Sequence, residues 1–181
     1  MADHALDYGQ KWAELPDWSS ARLEAQGIAV RALECRAQYL VSGDLEAFGR
    51  ASGCDAQGAG ALGQVTGEDY SLRLGRDRLM IVGGCPGTSP GWNAGGFAVT
   101  DVGAAWLVLE VSGPRSMDLL SRGSTLDPAN PGPSAMAGFA GVPAVLYCHG
   151  SSSTLRIHVE RGLTGYLWSW FEAVVQSTGD A

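Results

Sequence analysis

A single four-step pattern occurs twice in this chain, and it restricts the available folds more than any other feature. Residues 39–55 read YLVSGDLEAFGRASGCD, and residues 109–127 read LEVSGPRSMDLLSRGSTLD. Each has a strand-like apolar stretch, a Val-Ser-Gly break, a short helical pattern, and a glycine stop followed by an aspartate. A looser echo sets SLRLGRDRLMIV at 71–82 against TLRIHVERGLTGYLW at 154–168. Side chains alternate across a strand and recur at three and four along a helix, so these segments alternate between the two types of element. The expectation is an α+β fold made of duplicated strand–helix subdomains. An N-terminal arm covers residues 1–27. One duplicated domain covers 28–181, with pseudo-repeats at about 28–98 and 99–175.

Composition narrows the function. The chain has 181 residues, 45% apolar and 17% charged, which suits a packed core and argues against disorder. Its formal net charge is −7, with only 12 Lys and Arg. Phosphate backbones need a basic stripe, so nucleic acid is excluded as a partner. No apolar run reaches bilayer length, and the start, MADHALDYGQKW, lacks the layout of a secretory signal, so a cytoplasmic chain is expected. Cys35, Cys54, Cys85 and Cys148 are widely spaced, which predicts four reduced, mostly packed thiols. A surface this poor in charge fits a chain that hides area against a partner.

Residues 28–42 predict one or two strands, followed by a short helix from Gly43 to Arg50 capped by Ser42 or Gly43. Residues 53–68 read as an irregular connection and 70–82 as a hairpin turning at Gly75-Arg76-Asp77. The Gly- and Pro-rich stretch 83–96 reads as a loop. FAVTDVGAAWLVLEV at 97–111 predicts a long strand or strand pair, with Leu107, Leu109 and Val111 on one face and Trp106, Val108 and Glu110 on the other. Pro114 suits the first turn of the next helix, and Gly123 its stop. Strands follow at 142–148 and in LRIHVE, and Thr164 is expected to cap a final helix, YLWSWFEAVVQ.

Two sets of residues carry a family resemblance. The segment Val99 to Asp127, with HVERGLTGYLWSWF at 158–171, resembles the gamma subunit of heterotetrameric sarcosine oxidase. That family has a V-x-D-x-S stretch, an apolar strand ending in S-G-P, a helix, a G-C-x-L-D segment and a terminal Y-L-x-x-W helix. Here these fall at Val99 to Asp101, Ser112-Gly113-Pro114, Gly123 to Asp127, and Tyr166-Leu167 with Trp170. LRLGRDRLMIV is similar to the family's L-G-P-D-E-W-L-x-V hairpin. The chain departs from the pattern at Arg76 and Leu79, where Pro and Trp are usual, and at Ser124, where Cys is usual. The loop at 83–96 also replaces a connection that is commonly helical.

The resemblance implies the fold of the folate-binding domain of glycine-cleavage aminomethyltransferase, a duplication with swapped first strands. It also implies a non-catalytic gamma subunit that supports the large folate- and NAD-binding subunit of a complex demethylating sarcosine or a related N-methyl amino acid. The partners would be alpha, beta and delta subunits. FAD, FMN, NAD and tetrahydrofolate would sit on the large subunits and zinc on a small one, with no cofactor or metal on this chain.

Site candidates are few. His4, His149 and His158 lack metal-ligand spacing, no G-x-S-x-G elbow occurs, and no glycine-rich piece has phosphate-loop spacing. In the aminomethyltransferases an Asp just before the first hairpin strand contacts folate, and Asp69 stands in a comparable place. It carries the alternative reading of a free-standing tetrahydrofolate-dependent transferase. Trp12 and Trp18 in the arm, and Tyr166 and Trp170 on the last helix, are candidates for a partner interface because aromatic residues dominate interface energetics.

Overall fold

The computed structural model describes residues 15–25, 27–34, 37–84 and 89–177. Strand-period segments become β1 (Arg22–Ala25), β2 (Ile28–Leu33), β3 (Gln38–Gly43), β4 (Gln64–Val65), β5 (Tyr70–Gly75), β6 (Arg78–Val82), β7 (Gly91–Asn93), β8 (Phe97–Asp101), β9 (Trp106–Ser112), β10 (Met136–Phe139), β11 (Val142–His149) and β12 (Ser151–Glu160). The helices are α1 (Leu45–Ser52), α2 (Ser116–Gly123) and α3 (Thr164–Ser177). A large sheet runs β1-β2-β9-β12-β11-β10, with β4 joined to the end of β11, and a small sheet runs β5-β6-β3-β8-β7. Apart from the β4–β11 contact, the strand pairs are antiparallel. The protein is therefore α+β.

Side-chain alternation sorts the core into layers. On the large sheet, Leu107, Leu109, Val111, Leu155, Ile157 and Val159 pack against Leu119 and Leu120 of α2 and Leu167, Trp168 and Phe171 of α3. On the small sheet, Val41, Leu79, Ile81, Phe97 and Val99 pack against Leu45 and Phe48 of α1. Between the sheets lie Leu72, Met80, Val82, Val145 and Tyr147. β6 contributes Leu79 and Ile81 to one layer and Met80 and Val82 to the next, so it reads as a continuous apolar run, as a strand buried on both faces should. The order is helix, sheet, sheet, helix.

The chain crosses from the large sheet to the small one between β2 and β3 and back between β8 and β9, and the two Ser-Gly breaks lie where strands joined by these crossings meet their new neighbours. β2 pairs with β9 in the large sheet, whereas β3, which follows it, pairs with β8 in the small one. Gly43 ends β3 with φ +106°, and a Cβ there would lie 2.4 Å from the Gly96 carbonyl oxygen. Gly113 follows β9 with φ +108°, and its Cβ would lie 2.3 Å from the Gly27 carbonyl oxygen. In each case the chain leaving one strand runs against the backbone just before the strand beside it. The N–H of Asp44 donates to Gly96 O at 3.0 Å, and that of Arg115 to Gly27 O at 3.2 Å. Only glycine combines that φ with that approach.

Several sequence expectations change. Residues 22–25 of the expected arm already form β1, the edge strand beside β2. The cap of α1 is Asp44, which accepts from the Ala47 N–H, rather than Ser42 or Gly43. Pro114 lies in the turn before α2 instead of in its first helical position. The expected loop at 83–96 contains β7, paired to β8 by Trp92 opposite Ala98. The looser echo also fails: SLRL lies in β5 at the end of its sheet, while TLRI lies in β12, which has a strand on both sides. Finally, Cys35 and Cys85 lie outside the described residues, and Cys54 is disulfide-bonded, which corrects the expectation of four reduced thiols. Wide spacing along the chain hid this, because a disulfide needs proximity only in space. Cys148 is a free buried thiol, and burial pushes its pKa up.

The close approaches at the two glycines can be tested directly. Gly43→Ala and Gly113→Ala should each cost about 2–4 kcal/mol, because strain and steric clash act together. Gly138→Ala is the control: a Cβ there meets nothing within 4 Å. Urea midpoints at constant slope would check this, and equal midpoints for all three variants would contradict it.

Candidate functional site

The face of β12, β9 and β2 turned toward the small sheet carries His158, Arg156, Glu110 and Arg31 beside the aliphatic Val108 and Leu33. Glu110 on β9 stands opposite Arg156 on β12 and Arg31 on β2. Both guanidinium groups reach its carboxylate: Arg31 Nε donates to Oε1 at 2.9 Å and Arg156 Nε to Oε2 at 3.0 Å. Burial raises the pKa of Glu110, but the two arginines overcome that and hold it below the usual carboxylate value. From Arg156 the bonding continues inward: to Tyr70 Oη at 3.3 Å, from Tyr70 to Tyr147 at 2.7 Å, and from Tyr147 to His158 Nε2 at 2.8 Å. His158 Nδ1 then meets Gln38 Oε1 at 2.9 Å.

The direction of these bonds follows from the glutamine end. Gln38 Oε1 can only accept, so His158 Nδ1 carries the proton and donates to it. With its pKa far below neutral, His158 has no second N–H, so Nε2 accepts from Tyr147, and Tyr147 in turn accepts from Tyr70, which also accepts from Arg156. His158 is thus a neutral imidazole with its tautomer set by its neighbours. Its complete burial pushes the pKa down to about 3, and the charge on Arg156 adds to the effect. Burial beside Tyr70 pushes Tyr147 well above the usual phenol value. Gln38 and Tyr70 belong to the small sheet and the other members to the large one, so the relay ties the two sheets together. The sequence reading treated His158 as an ordinary histidine. The signal it missed is parity, because His158, Arg156 and Glu110 fall on one face.

Asp69, the sequence candidate for transfer chemistry, is exposed at the start of β5. Its Oδ1 accepts the Gly84 N–H at 2.7 Å, holding the corner where the chain leaves β6. It also borders a recess of about 260 Å³ lined by Cys54, Asp55, Tyr70, Ser71, Ile81 and Gly84. Asp69 is not part of the relay, although its neighbour Tyr70 is.

The aromatic candidates separate. Trp12 lies outside the described residues. Trp18 packs edge-on against Trp168 of its own chain, with ring centres 5.7 Å apart. Trp170 is half-buried, its ring 5.3 Å from both Phe139 and Phe171. Tyr166 is 55% exposed, and its hydroxyl donates to Ala140 O at 2.8 Å. Trp92 was missed by the sequence reading, yet at 75% exposure it is the most exposed large apolar side chain among the described residues. Its setting, Gly-Trp-Asn amid glycines, offers no apolar period that would bury it. That setting was the available signal.

The relay predicts an acid-sensitive fold. The unfolded chain protonates histidine near pH 6.5, while the folded chain resists protonation of His158 down to about 3. The unfolded state therefore binds the extra proton throughout that window, and stability falls as pH drops through it. Between pH 6.5 and 4.5 the loss should be about 2–3 kcal/mol, and protonation of Glu110 deepens it at lower pH. Urea titrations at several pH values check this, and His158→Gln should flatten the upper part of the slope.

No family model matches the sequence, and no curated protein matches it. Among solved structures, the chain is similar to a chain of the heterotetrameric sarcosine oxidase from Corynebacterium sp. U-96 in complex with pyrrole 2-carboxylate. The likeness has a TM-score of 0.66 and 18% identity and covers 85% of this chain and 86% of the other. Such similar shares mean that the two chains are close in length. The protein thus has the fold of a chain of heterotetrameric sarcosine oxidase.

Proposed function

We propose that this protein is a non-catalytic subunit, of gamma type, in a sarcosine-oxidase-like complex that oxidatively demethylates sarcosine or a related N-methyl amino acid. The observation that carries the reading is the fold likeness over 85% of this chain to a chain of similar length from a heterotetrameric sarcosine oxidase. The sequence motifs at Ser112-Gly113-Pro114 and at Tyr166-Leu167 with Trp170 independently resemble the gamma subunit. The interior supports the same role, because the buried histidine and tyrosines bond to one another across the sheets. On this reading FAD, FMN, NAD and tetrahydrofolate belong to partner alpha and beta subunits, and a delta subunit completes the assembly in the cytoplasm.

We also infer that the fold is an internal duplication with exchanged first strands. Its support is a correspondence of order: β5-β6-β3-β8 in one sheet against β11-β12-β9-β2 in the other. β3 and β9 occupy matching places, each running into a Ser-Gly break, and each pairs with the first strand assigned to the other repeat, β8 and β2.

Two measurements test the role. Co-expressed with the flavoprotein subunits of such a complex, the chain should co-purify in fixed proportion, and Asp69→Ala should leave the demethylation rate within about two-fold of wild type. Titrated alone with tetrahydrofolate, it should give no saturable heat. Tight binding that Asp69→Ala abolishes would instead establish the free-standing transferase.

A further inference from the structure

β5 is the last strand of the small sheet, and two loops cover its outer edge instead of a further strand. From the first loop, Ala59 N–H donates to Ser71 O, and Ala59 O accepts the Arg73 N–H at 2.8 Å. From the second, Ala135 N–H donates to Arg73 O. A cavity of about 760 Å³ opens where they meet the hairpin, bordered by Gly60 and Ala61, by Gly132 and Ser134, and by Arg73 and Arg76. Sites for small molecules have volumes of this order. The two arginines are the only charged residues on the cavity wall.

Charge indicates what such a cavity would take. Arg73 is half-buried, and its guanidinium donates to the carbonyl oxygens of Gln57 at 2.8 Å, Ala56 at 3.0 Å and Arg76 at 3.1 Å. These bonds hold it in place but supply no full negative charge, and it has no ion pair among the described residues. Arg76 is exposed, and its side chain makes no hydrogen bond or ion pair among them. It stands where the hairpin of the resembling family has Pro, so this departure adds a second cation. A smaller recess, of about 600 Å³, meets the same two arginines and includes Asp44, Glu46 and Asp77. None of these acids pairs with either arginine, and the larger cavity has no carboxylate on its wall.

The backbone points to the same class of ligand. Gly60 and Ala61 follow directly after the residue bonded to Arg73, and their N–H groups have no partner among the described residues, although Ala61 is only 2% exposed. The surrounding amides are all committed: Gly58 to Asp55, Ala59 to Ser71, Leu62 to Leu146 and Gly63 to Gly60. Buried amides are nearly always paired, so two consecutive unpaired ones on a cavity wall call for an acceptor from outside the chain. Successive N–H groups beside a guanidinium suit an oxyanion.

We propose that this cavity binds a small phosphate monoester, its phosphate held by Arg73, Arg76 and the amides of Gly60 and Ala61. Such a group carries about two negative charges at neutral pH, which matches two guanidinium groups. The remaining wall, at Gly132 and Pro133 among others, leaves room for the uncharged part of the ester. The site shares no residue with the recess beside Asp69 and stands independently of the subunit reading.

The test titrates the full chain with inorganic phosphate and with glycerol phosphate at constant ionic strength, with chloride as the control anion. Both phosphates should bind saturably and chloride should not. Arg76→Gln, a change at an exposed side chain, should weaken binding about ten-fold or more, the loss of one charge-assisted contact. Arg76→Lys keeps the charge without the planar fork and should fall between the two. Urea midpoints establish that each variant folds. Magnetic resonance on the wild-type chain needs no variant: the amide signals of Gly60 and Ala61 should move as phosphate is added. Absence of saturable binding, binding that Arg76→Gln leaves unchanged, or unmoved signals at Gly60 and Ala61 would each overturn the proposal. Binding of inorganic phosphate without glycerol phosphate would mark an adventitious ion only and overturn it as well. Assembly with flavoprotein subunits is a separate measurement, so none of these results decides the subunit reading.

Discussion

The close backbone approach at Gly43 against Gly96 and Gly113 against Gly27 is the constraint on which the architecture depends. Each lets a strand end against the start of its neighbour without a side chain between them. β2 can then complete the large sheet while β3 begins the small one, and β8 and β9 divide in the same way. The large sheet takes strands from both sides of the small one: β1 and β2 precede residues 38–101, which hold the strands of the small sheet, and β9 to β12 follow them. The large sheet therefore cannot complete its strand order from one contiguous half of the chain, so folding is expected to be cooperative. A larger residue at Gly43 would push β8 away from β3, and one at Gly113 would push β2 away from β9.

Interlocking brings the inner faces together, and the polar relay defines how they meet. Burying Glu110 and His158 costs desolvation energy that apolar residues would avoid, and a buried ion pair is weak evidence for added stability. The relay's benefit is geometric. Each of its bonds has one donor and one acceptor, and displacement of one sheet against the other would break several together. One donor is left over: Gln38 Nε2 is buried without a partner among the described residues. Its carbonyl is committed to His158, so an apolar replacement would strand the histidine Nδ1–H and exchange one unpaired donor for another.

Legibility in the sequence followed periodicity. The hairpin of β5 and β6, the two faces of β9 and the core positions of α3 were readable because each element buries a face against a neighbour. Leu107, Leu109 and Val111 fall on the helix side and Val108 and Glu110 on the other, as alternation requires. β1 and β7 were not readable. Both are short edge strands paired on one side, and their residues (Arg22–Ala25 and Gly91–Asn93) are half-exposed or exposed, so no apolar pattern marks them. The division of 28–42 and 97–111 between two sheets also escaped, because sheet membership depends on a crossing rather than on local preference. The relay at His158 belongs to the same class, since Gln38 meets His158 across a separation of 120 positions.

The candidate site was legible in its aromatics and obscure in its exposure. Residue type alone gave Trp18, Tyr166 and Trp170 similar claims, but packing divides them. Trp18 and Trp170 have aromatic neighbours within this chain, while Tyr166 holds a backbone carbonyl at the surface. Trp92 lies outside the helical pattern that drew attention to the others, in a stretch whose glycines suggested only a loop. Its strand pairs on one side only, opposite Ala98 of β8, at the last strand of its sheet, so its ring stays in solvent where no apolar period along the sequence could announce it.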